Sequence, residues 1–223
     1  MGMTFEDAVA ILTGPGSPFE IAEAEVLGRP SRIFTKIPST LRDLFDLIRA
    51  RPADDVYLVF EDERWTNADM VKSIDEIATV LVERYGVAKG DRVAINMRNF
   101  PEWITAFGAA TSIGAIAVLV NAWWTGPEIE FGLIDADAKV MITDRERVDR
   151  IGDRLQALNI HGLVVRAEGD LPPGCDHLAD VVTPGATMPI VEIHPDDDAT
   201  ILFTSGTTGK PKGVPRKQRA ERA

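Results

Sequence analysis

The fold is decided by residues 199–213, which read ATILFTSGTTGKPKG. The first five residues form a short apolar run with two β-branched members, which predicts a buried strand. A loop rich in glycine, serine, threonine and lysine follows directly. Glycine lets the backbone approach an anion closely, hydroxyl groups donate hydrogen bonds, and lysine adds positive charge. The stretch therefore predicts a strand that ends in a phosphate-binding loop.

The candidate phosphate-binding residues form one run interrupted only by Pro211. They are Thr204, Ser205, Gly206, Thr207, Thr208, Gly209, Lys210, Lys212 and Gly213. We expect residues 204–213 to be an exposed loop after a strand at residues 200–203, with the glycines free to adopt φ > 0. A Walker A loop is disfavoured, because Thr204 stands where that motif has its first glycine and Pro211 where it has serine or threonine. On composition alone, a flexible hairpin loop is an equal alternative.

Outward from this stretch, strand and helix patterns alternate. Earlier apolar runs predict strands at residues 56–60, 93–97, 115–120, 139–143 and 162–166, separated by segments of helical periodicity. Such alternation gives βαβ units, and the strands are apolar on both faces, as a sheet covered by helices on both sides requires. The fold class is therefore α/β, with a mainly parallel sheet flanked by helices.

The helices of this pattern have recognisable starts. Leu41, Leu44, Phe45 and Ile48 form one apolar face of a helix. The predicted N-terminal signals are Ser39, Thr66 with Asp69, Thr125 with Glu128, and Asp144. The uncharged stretch 103–124 is long enough to span a bilayer, but it changes from helical to strand character midway. It is therefore interpreted as a buried helix followed by a buried strand.

The run 204–213 resembles, residue for residue, the signature loop of the adenylate-forming superfamily. That superfamily contains acyl-CoA synthetases, luciferases and the adenylation domains of peptide synthetases. The lead-in Asp197-Asp198-Ala199 is similar to the usual approach to that loop. Earlier segments, weaker individually, agree in order: Trp65-Thr66, Gly90-Asp91-Arg92-Val93, Asn99, Pro101, Glu102, Gly114-Ala115 and Asn121. The resemblance covers about residues 40–214 and identifies the N-terminal portion of an acyl-CoA synthetase.

The resemblance implies a two-step ligase. A carboxylate attacks the α-phosphate of ATP and releases pyrophosphate, and coenzyme A then takes the acyl group from the acyl-adenylate. The matching loop would hold the β- and γ-phosphates, with Lys212 as the first choice for a charge contact and Lys210 solvated. The magnesium ligand and every catalytic residue are expected outside this chain. The overall resemblance favours a fatty acid as substrate, and aryl and aminoacyl ligases stay open.

The same reasoning divides the chain. Residues 1–38 are a lead segment expected to pack on the domain, 39–190 the first α/β subdomain with a connector at 168–190, and 191–214 the start of a second subdomain. Residues 215–223 are an atypical basic tail, with four basic residues, one acid and no apolar face, and an altered end is favoured over a functional one. The isolated chain is expected to be inactive, and the alternative function is a non-catalytic module that binds nucleotide or a partner.

Composition narrows the partners. The formal net charge of −11 disfavours nucleic acid, since phosphate backbones attract a basic face. The start of the chain lacks a basic, apolar leader, and the single cysteine, Cys175, fits a reducing, cytoplasmic setting. Cys175 is interpreted as an ordinary loop thiol, and the three histidines as solvent-facing residues without metal-ligand spacing. Trp123 and Trp124 could border an acyl site, but lid or core packing is favoured. The expected partners are therefore ATP, a carboxylic acid and coenzyme A.

Overall fold

The computed structural model describes residues 2–204 and 211–221. Within these ranges the helices are α1 (Phe5–Thr13), α2 (Leu41–Arg49), α3 (Asn67–Glu83), α4 (Pro101–Ser112), α5 (Gly126–Asp135), α6 (Arg145–Ile151), α7 (Arg154–Ala157), α8 (Leu178–Val181) and α9 (Gln218–Glu221). The strands are β1 (Ile21–Val26), β2 (Arg29–Phe34), β3 (Val56–Phe60), β4 (Glu63–Thr66), β5 (Arg92–Asn96), β6 (Ile116–Leu119), β7 (Ala138–Asp144), β8 (His161–Val165), β9 (Cys175–His177), β10 (Asp198–Thr204) and β11 (Lys212–Lys217).

A seven-stranded sheet organises the chain, in the order β11-β10-β6-β5-β7-β8-β9. Every neighbouring pair is parallel except β10 with β11, which is antiparallel. Two further hairpins, β1–β2 and β3–β4, form separate two-stranded sheets. The predicted α/β fold with a mainly parallel, helix-flanked sheet is thus confirmed.

Both faces of the central strands are buried, because successive side chains of a strand point to opposite sides. Val93 and Ile95 of β5 pack into one apolar cluster with residues of α3 and α4. Ala94, between them, packs into a second cluster with residues of α5, α6 and α7. The interpretation of residues 103–124 as a buried helix and strand is confirmed by α4 and β6. In the described ranges, no helix combines the length and apolar character that crossing a bilayer would need.

Helix starts follow the local capping chemistry with one shift. Thr66 and Asp69 form the predicted capping box at α3, and Asp144 accepts a hydrogen bond from the Arg147 N–H at the start of α6. The predicted cap Ser39 is wrong by one residue: Thr40 caps α2, because Asp43 lies three residues after it and completes the reciprocal box. Leu44 was expected on the buried face of α2, but it is exposed.

Two predicted elements take other roles. Residues 56–60 form β3 as a strand, but it pairs antiparallel with β4 and not with the central sheet. Val56, Tyr57 and Val59 are exposed, so β3 lacks the two buried faces of a central strand. Cys175 was expected in a loop, but it lies in β9, the edge strand beside β8.

The lead segment is more ordered than its weak periodicity predicts. It contains α1 and the hairpin β1–β2, in which Ile21 lies opposite Phe34. α1 buries none of its residues, and the packing of the whole lead segment on the domain stays a prediction.

The hairpin β10–β11 corrects the predicted loop at both ends. Thr204 is the last residue of β10, and Lys212 and Gly213 begin β11. These three residues were predicted to lie in the loop, but they belong to the strands. β10 also pairs with β6 in the main sheet, and the division of the chain near residue 190 stays a prediction. Residues 215–217 of the atypical basic tail complete β11, and Gln218 of α9 is fully buried.

Candidate active-site crevice

The connections of the sheet create a crevice between the carboxyl ends of β5 and β6. The chain leaves β5 for α4, which covers one face of the sheet, and leaves β6 for α5, which covers the other. The loops after these two neighbouring strands therefore diverge. In open α/β sheets, such a switch point is where ligands bind. β10 lies beside β6 and ends at the same edge of the sheet.

A cleft of about 570 Å³ occupies this position. Its walls come from the ends of β5, β6 and β10 and from the residues that follow them: Met97, Asn99, Trp103, Leu119, Val120, Asn121, Ala122, Trp123, Trp124, Leu202, Phe203, Thr204 and Pro211. Apolar side chains dominate the floor, and the asparagines and Thr204 provide polar groups near the mouth. A wider cleft of about 850 Å³ lies at the end of β8, away from the hairpin β10–β11. The crevice is the better candidate because it combines the switch point with the predicted phosphate-binding run.

Two buried polar residues at strand ends fix the loops of the crevice. Asn96, the last residue of β5, donates from Nδ2 to the Asn121 carbonyl oxygen at 3.2 Å. Asp144, the last residue of β7, accepts from the Arg98 backbone N–H at 3.0 Å. Both side chains are nearly inaccessible to water, so these hydrogen bonds are shielded from competition. The loops after β5 and β6 are thereby tied to the sheet.

Two arginines of α6 hold the loop after β6 from the other side. Arg147 donates from Nε to the Ala122 carbonyl oxygen at 2.9 Å, and Arg150 donates from Nη1 to the carbonyl oxygens of Ala122 and Trp124, each at 2.9 Å. Arg150 also holds the pKa of Glu146 below its usual value through a hydrogen bond. The carbonyl groups of Ala122 and Trp124 are therefore tied to α6.

The two tryptophans separate in role. Trp124 packs edge-on against Phe203 of β10 with ring centroids 5.2 Å apart, as the packing interpretation predicts. Gly132 makes room for it, since a Cβ there would lie 2.8 Å from Trp124 Cζ3. For Trp123 the predicted alternatives were a lid or core packing, and core packing is excluded because this side chain is 73% exposed. The guanidinium carbons of Arg98 and Arg147 lie 5.9 Å and 5.8 Å from its ring centroid, so this indole forms the rim of the crevice.

The predicted phosphate-binding residues divide into two groups. Ser205, Gly206, Thr207, Thr208, Gly209 and Lys210 lie outside the described residues. Thr204 and Lys212 are exposed and lie opposite each other as the last rung of the hairpin, at the mouth of the crevice. Gly213 does not adopt a positive φ, so its expected role as a flexible loop residue is wrong. It pairs with Phe203, and a Cβ on it would lie 3.0 Å from Ile201 Cγ2.

Other candidate groups have structural roles. Burial raises the pKa of the Cys175 thiol to about 11, which agrees with an unreactive cysteine. His161 and His194 are exposed, and His177 Nε2 lies 2.8 Å from the Gly169 carbonyl oxygen. Among residues 2–204 and 211–221, no three His, Cys, Asp or Glu side chains are grouped so that they could hold a metal ion.

Sequence reasoning missed the residues that build the crevice, namely Asn96, Arg98, Asp144, Arg147 and Arg150. A signal was present for two of them: Asn96 and Asp144 are polar residues that end apolar strands. Their partners depend on which strands lie side by side, and spacing along the chain does not give that order.

Comparisons with known proteins agree with this geometry. Residues 45–221 match the family described as AMP-binding enzyme. Over 160 residues, the chain is 38% identical to long-chain-fatty-acid–CoA ligase FadD13 of Mycobacterium tuberculosis, a match covering 69% of this chain and 29% of that ligase. Over 156 residues, it is 35% identical to oxalate–CoA ligase of Arabidopsis thaliana, covering 69% of this chain and 30% of that ligase.

A solved structure has the same architecture. The crystal structure of the anthranilate CoA ligase AuaEII in complex with anthranoyl-AMP matches with a TM-score of 0.72 and 25% identity, covering 82% of this chain and 36% of that one. The chain spans about 30% of the length of the curated relatives it matches.

Proposed function

We propose that this chain, which belongs to the AMP-binding enzyme family, supplies the phosphate-binding hairpin and part of the acyl crevice of an ATP-dependent acyl-CoA ligase. In the first step, a carboxylate oxygen bonds to the α-phosphorus of ATP while the bond to the pyrophosphate oxygen breaks. In the second, the thiol of coenzyme A displaces AMP from the acyl-adenylate, and its proton leaves. We assign this activity to the cytoplasm on the strength of the single, half-buried cysteine.

One observation carries the proposal: β10 brings the run that begins at Thr204 to the carboxyl edge of a parallel sheet, beside its switch point. A polyphosphate held by the 204–212 connection would have its α-phosphate towards the crevice. Lys212 is exposed at the foot of this connection, where its ammonium can face the negative charge that develops on the leaving pyrophosphate. Residues of this chain would therefore bind and orient the phosphates and shape the acyl site.

We propose a fatty acid as the carboxylate substrate. Met97, Leu119 and Phe203 line the crevice with apolar side chains, and Trp103 of α4 adds an aromatic one. An apolar tail would gain by leaving water there, whereas a short dicarboxylate would find few charged partners among the lining residues. Among the relatives, FadD13 is described as a long-chain-fatty-acid ligase, and other matched ligases are described as acting on oxalate and anthranilate.

A second candidate function is a non-catalytic module that binds nucleotide or a partner. The chain spans about 30% of its curated relatives, and one phosphate-binding loop does not hold adenine, magnesium and carboxylate together. The two candidates share nucleotide binding and differ in adenylate formation.

Nucleotide binding is tested by calorimetric titration of the 223-residue chain with ATP. We expect Lys212→Ala to weaken ATP binding by roughly tenfold, the loss of one charge-assisted contact. Lys36→Ala is the matched control, because Lys36 is a surface lysine paired with Glu20, outside the crevice residues. Equal affinity in the Lys212 variant and the wild type would contradict the role given to this lysine.

Adenylate formation is tested by ATP–pyrophosphate exchange with fatty, aryl and dicarboxylic acids. We expect no exchange by the chain alone, and fatty-acid-dependent exchange when the chain is fused to the part of FadD13 that follows its matched segment. Lys212→Ala in the fusion should reduce that exchange. A fusion that binds ATP without exchange would favour the non-catalytic module.

A further inference from the structure

We propose that Asp196 and Arg219 are positioning residues for the phosphate-binding hairpin. They belong to a clasp, defined here as residues 195–198 and 217–219, that ties the end of β11 to the approach to β10. The inference rests on the proposed function, because it concerns how the same phosphate site is held in place.

The hairpin needs such a device because β11 is the outermost strand. β10 is fixed to the sheet by parallel pairing of Thr200, Ile201 and Leu202 with β6. Within the described part of the chain, β11 pairs with β10 alone. Its side chains bury little surface, since Lys212, Val214, Pro215 and Arg216 are exposed. Apolar packing therefore contributes little to holding β11.

The clasp supplies polar contacts at the base of the hairpin. Arg219 forms a two-pronged pair with Asp196, from Nε to Oδ1 at 2.5 Å and from Nη2 to Oδ2 at 3.0 Å. The Arg219 backbone N–H donates to the Pro195 carbonyl oxygen at 2.9 Å. Both side chains are about one-fifth exposed, and the hydrogen bond from Arg219 holds the pKa of Asp196 below its usual value. A bidentate guanidinium–carboxylate pair fixes direction as well as distance.

Neighbouring contacts join the clasp to the body of the domain. Gln218 is fully buried, and its Oε1 accepts from the Leu41 N–H at 2.9 Å, one of the free donors at the start of α2. Thr200, also fully buried, donates from Oγ1 to Glu221 Oε1 at 2.6 Å. The clasp is therefore connected to a rigid helix and to the strand that adjoins β6.

Each acid of the run 196–198 lies in an ion pair with a basic residue: Asp196 with Arg219, Asp197 with Lys89 at 2.7 Å, and Asp198 with Lys217 at 2.9 Å. His194 Nδ1 also lies 3.8 Å from Asp196 Oδ2. Arg219 and Lys217 come from the segment whose basic residues sequence reasoning left without a function. These two basic residues therefore lie beside the acidic run 196–198 and pair with it.

The clasp sets where the phosphate-binding connection starts and ends. Asp198 lies opposite Lys217 at the base, and Thr204 lies opposite Lys212 at the other end. If the base opens, β11 loses its register partners in turn, and Lys212 is no longer held across from Thr204. A polyphosphate would then have to order the hairpin on binding, which lowers affinity.

The test uses Asp196→Asn in the full chain, with inorganic pyrophosphate as the probe. We expect pyrophosphate affinity to fall at least fivefold and amide hydrogen exchange to accelerate at residues 212–217, with exchange in β7 and β8 unchanged. The double variant Asp196→Arg with Arg219→Asp should recover both properties by restoring the pair in reverse. Glu130→Gln is the matched control, because it removes another exposed bidentate pair, with Arg154, away from the crevice.

The outcomes separate this inference from the proposed function. Unchanged exchange at residues 212–217 in the Asp196 variant overturns the clasp. Faster exchange with unchanged pyrophosphate affinity overturns its positioning role, since a merely stabilising pair would behave in this way. If the wild type binds no pyrophosphate, the proposed function fails, and the exchange measurement alone decides whether the clasp holds β11.

Discussion

The centre of the sheet and the hairpin at its edge are held by different interactions. In β5 and β7, Val93, Ile95, Val140 and Ile142 are fully buried between two layers of helices. In β11, exposed side chains dominate, and the strand is held by backbone pairing on one side and by ion pairs at its base. Apolar burial is non-directional, whereas partly exposed ion pairs are directional and are screened by salt.

The buried region of the sheet is therefore different from the region that is predicted to bind phosphate. The central strands are the most deeply buried part of the sheet, yet the residues predicted to bind phosphate follow β10 near the edge. Regions that must adapt to ligands are drawn from the less stable parts of a fold. Changes in the centre should therefore lower the free energy of unfolding strongly, and equivalent changes in the hairpin should lower it little.

Ion pairs give the largest expected contrast. Arg147 and Asp144 have side chains only 1% and 5% exposed, and Asp144 also caps α6 and accepts from the Arg98 N–H. We expect Asp144→Ala to lower the free energy of unfolding by about 3–5 kcal/mol. The change removes the α6 cap, the acceptor of the Arg98 N–H and one of the two carboxylates that pair with the buried Arg147, the other being Glu146. Asp198→Ala, which breaks a pair with Lys217, should cost about 0–1 kcal/mol.

Urea denaturation followed by circular dichroism measures both variants. Asp198 is the matched control because its side chain and that of Lys217 are 37% and 38% exposed. Similar losses in the two variants would break the comparison between centre and edge.

Apolar side chains should show the next contrast. Ile95 in β5 is fully buried, whereas Val214 in β11 is 42% exposed. We expect Ile95→Ala to lower the free energy of unfolding by about 2–5 kcal/mol, through lost burial and the cavity left behind. Val214→Ala should change it by about 0.5 kcal/mol or less. The same urea titrations apply, and a cost above about 2 kcal/mol for Val214→Ala would mean that the edge is packed like the centre.

The features that were predictable from sequence are the local ones. Thr66 with Asp69 and Asp144 before α6 satisfy capping chemistry within three residues, so spacing along the chain is sufficient. The burial of β5 on both faces is predictable from its own apolar residues. Residues 56–60 were assigned to the wrong sheet because the choice between β4 and a central strand depends on pairing energies that composition does not encode.

The crevice and the tail depend on contacts distant in sequence. Asn96 reaches the loop at residue 121, and Gln218 reaches Leu41, 177 positions away. The basic residues of the tail had no assigned function, because their acidic partners, Asp196 and Asp198, lie before β10 and at its start. These partners face the tail only once the hairpin has formed. The strand that leads into the run at residue 204 was predictable, and the phosphate-binding role of that run stays a prediction. Its boundaries were not predictable, since Thr204 and Gly213 lie in the paired strands β10 and β11.

Two glycines extend the comparison between the interior and the edge hairpin, with smaller expected losses of stability. A Cβ on Gly126, at the start of α5, would lie 2.1 Å from the Arg150 backbone oxygen. Since backbone yields poorly, we expect Gly126→Ala to cost about 1–3 kcal/mol. The three atoms nearest to a Cβ on Gly213 would all belong to movable side chains, those of Ile201 at 3.0 Å, Phe203 at 3.5 Å and Asp135 at 3.6 Å. Gly213→Ala should therefore cost less than about 1 kcal/mol, as measured by thermal unfolding. The reverse order of the two melting temperatures would contradict this interpretation.

The opposite edge of the sheet provides the last and smallest test, because it asks whether every edge is loosely held. Cys175 in β9 packs over Gly162, and a Cβ on that glycine would lie 2.5 Å from Sγ. Burial raises the pKa of the thiol from 9.0 to about 11. Because the folded-state pKa of the thiol is the higher one, the contribution of the thiol to stability is complete below pH 9 and is lost as the pH rises towards 11.

At pH 8 we expect iodoacetamide to alkylate the folded chain at least roughly tenfold more slowly than the urea-unfolded chain. The two rates should converge as the pH approaches 11, with Cys175→Ser as the unreactive control. Equal rates at pH 8 would show that β9 opens freely, and that the sheet is loose at both edges and not only at the hairpin that carries the predicted phosphate-binding run.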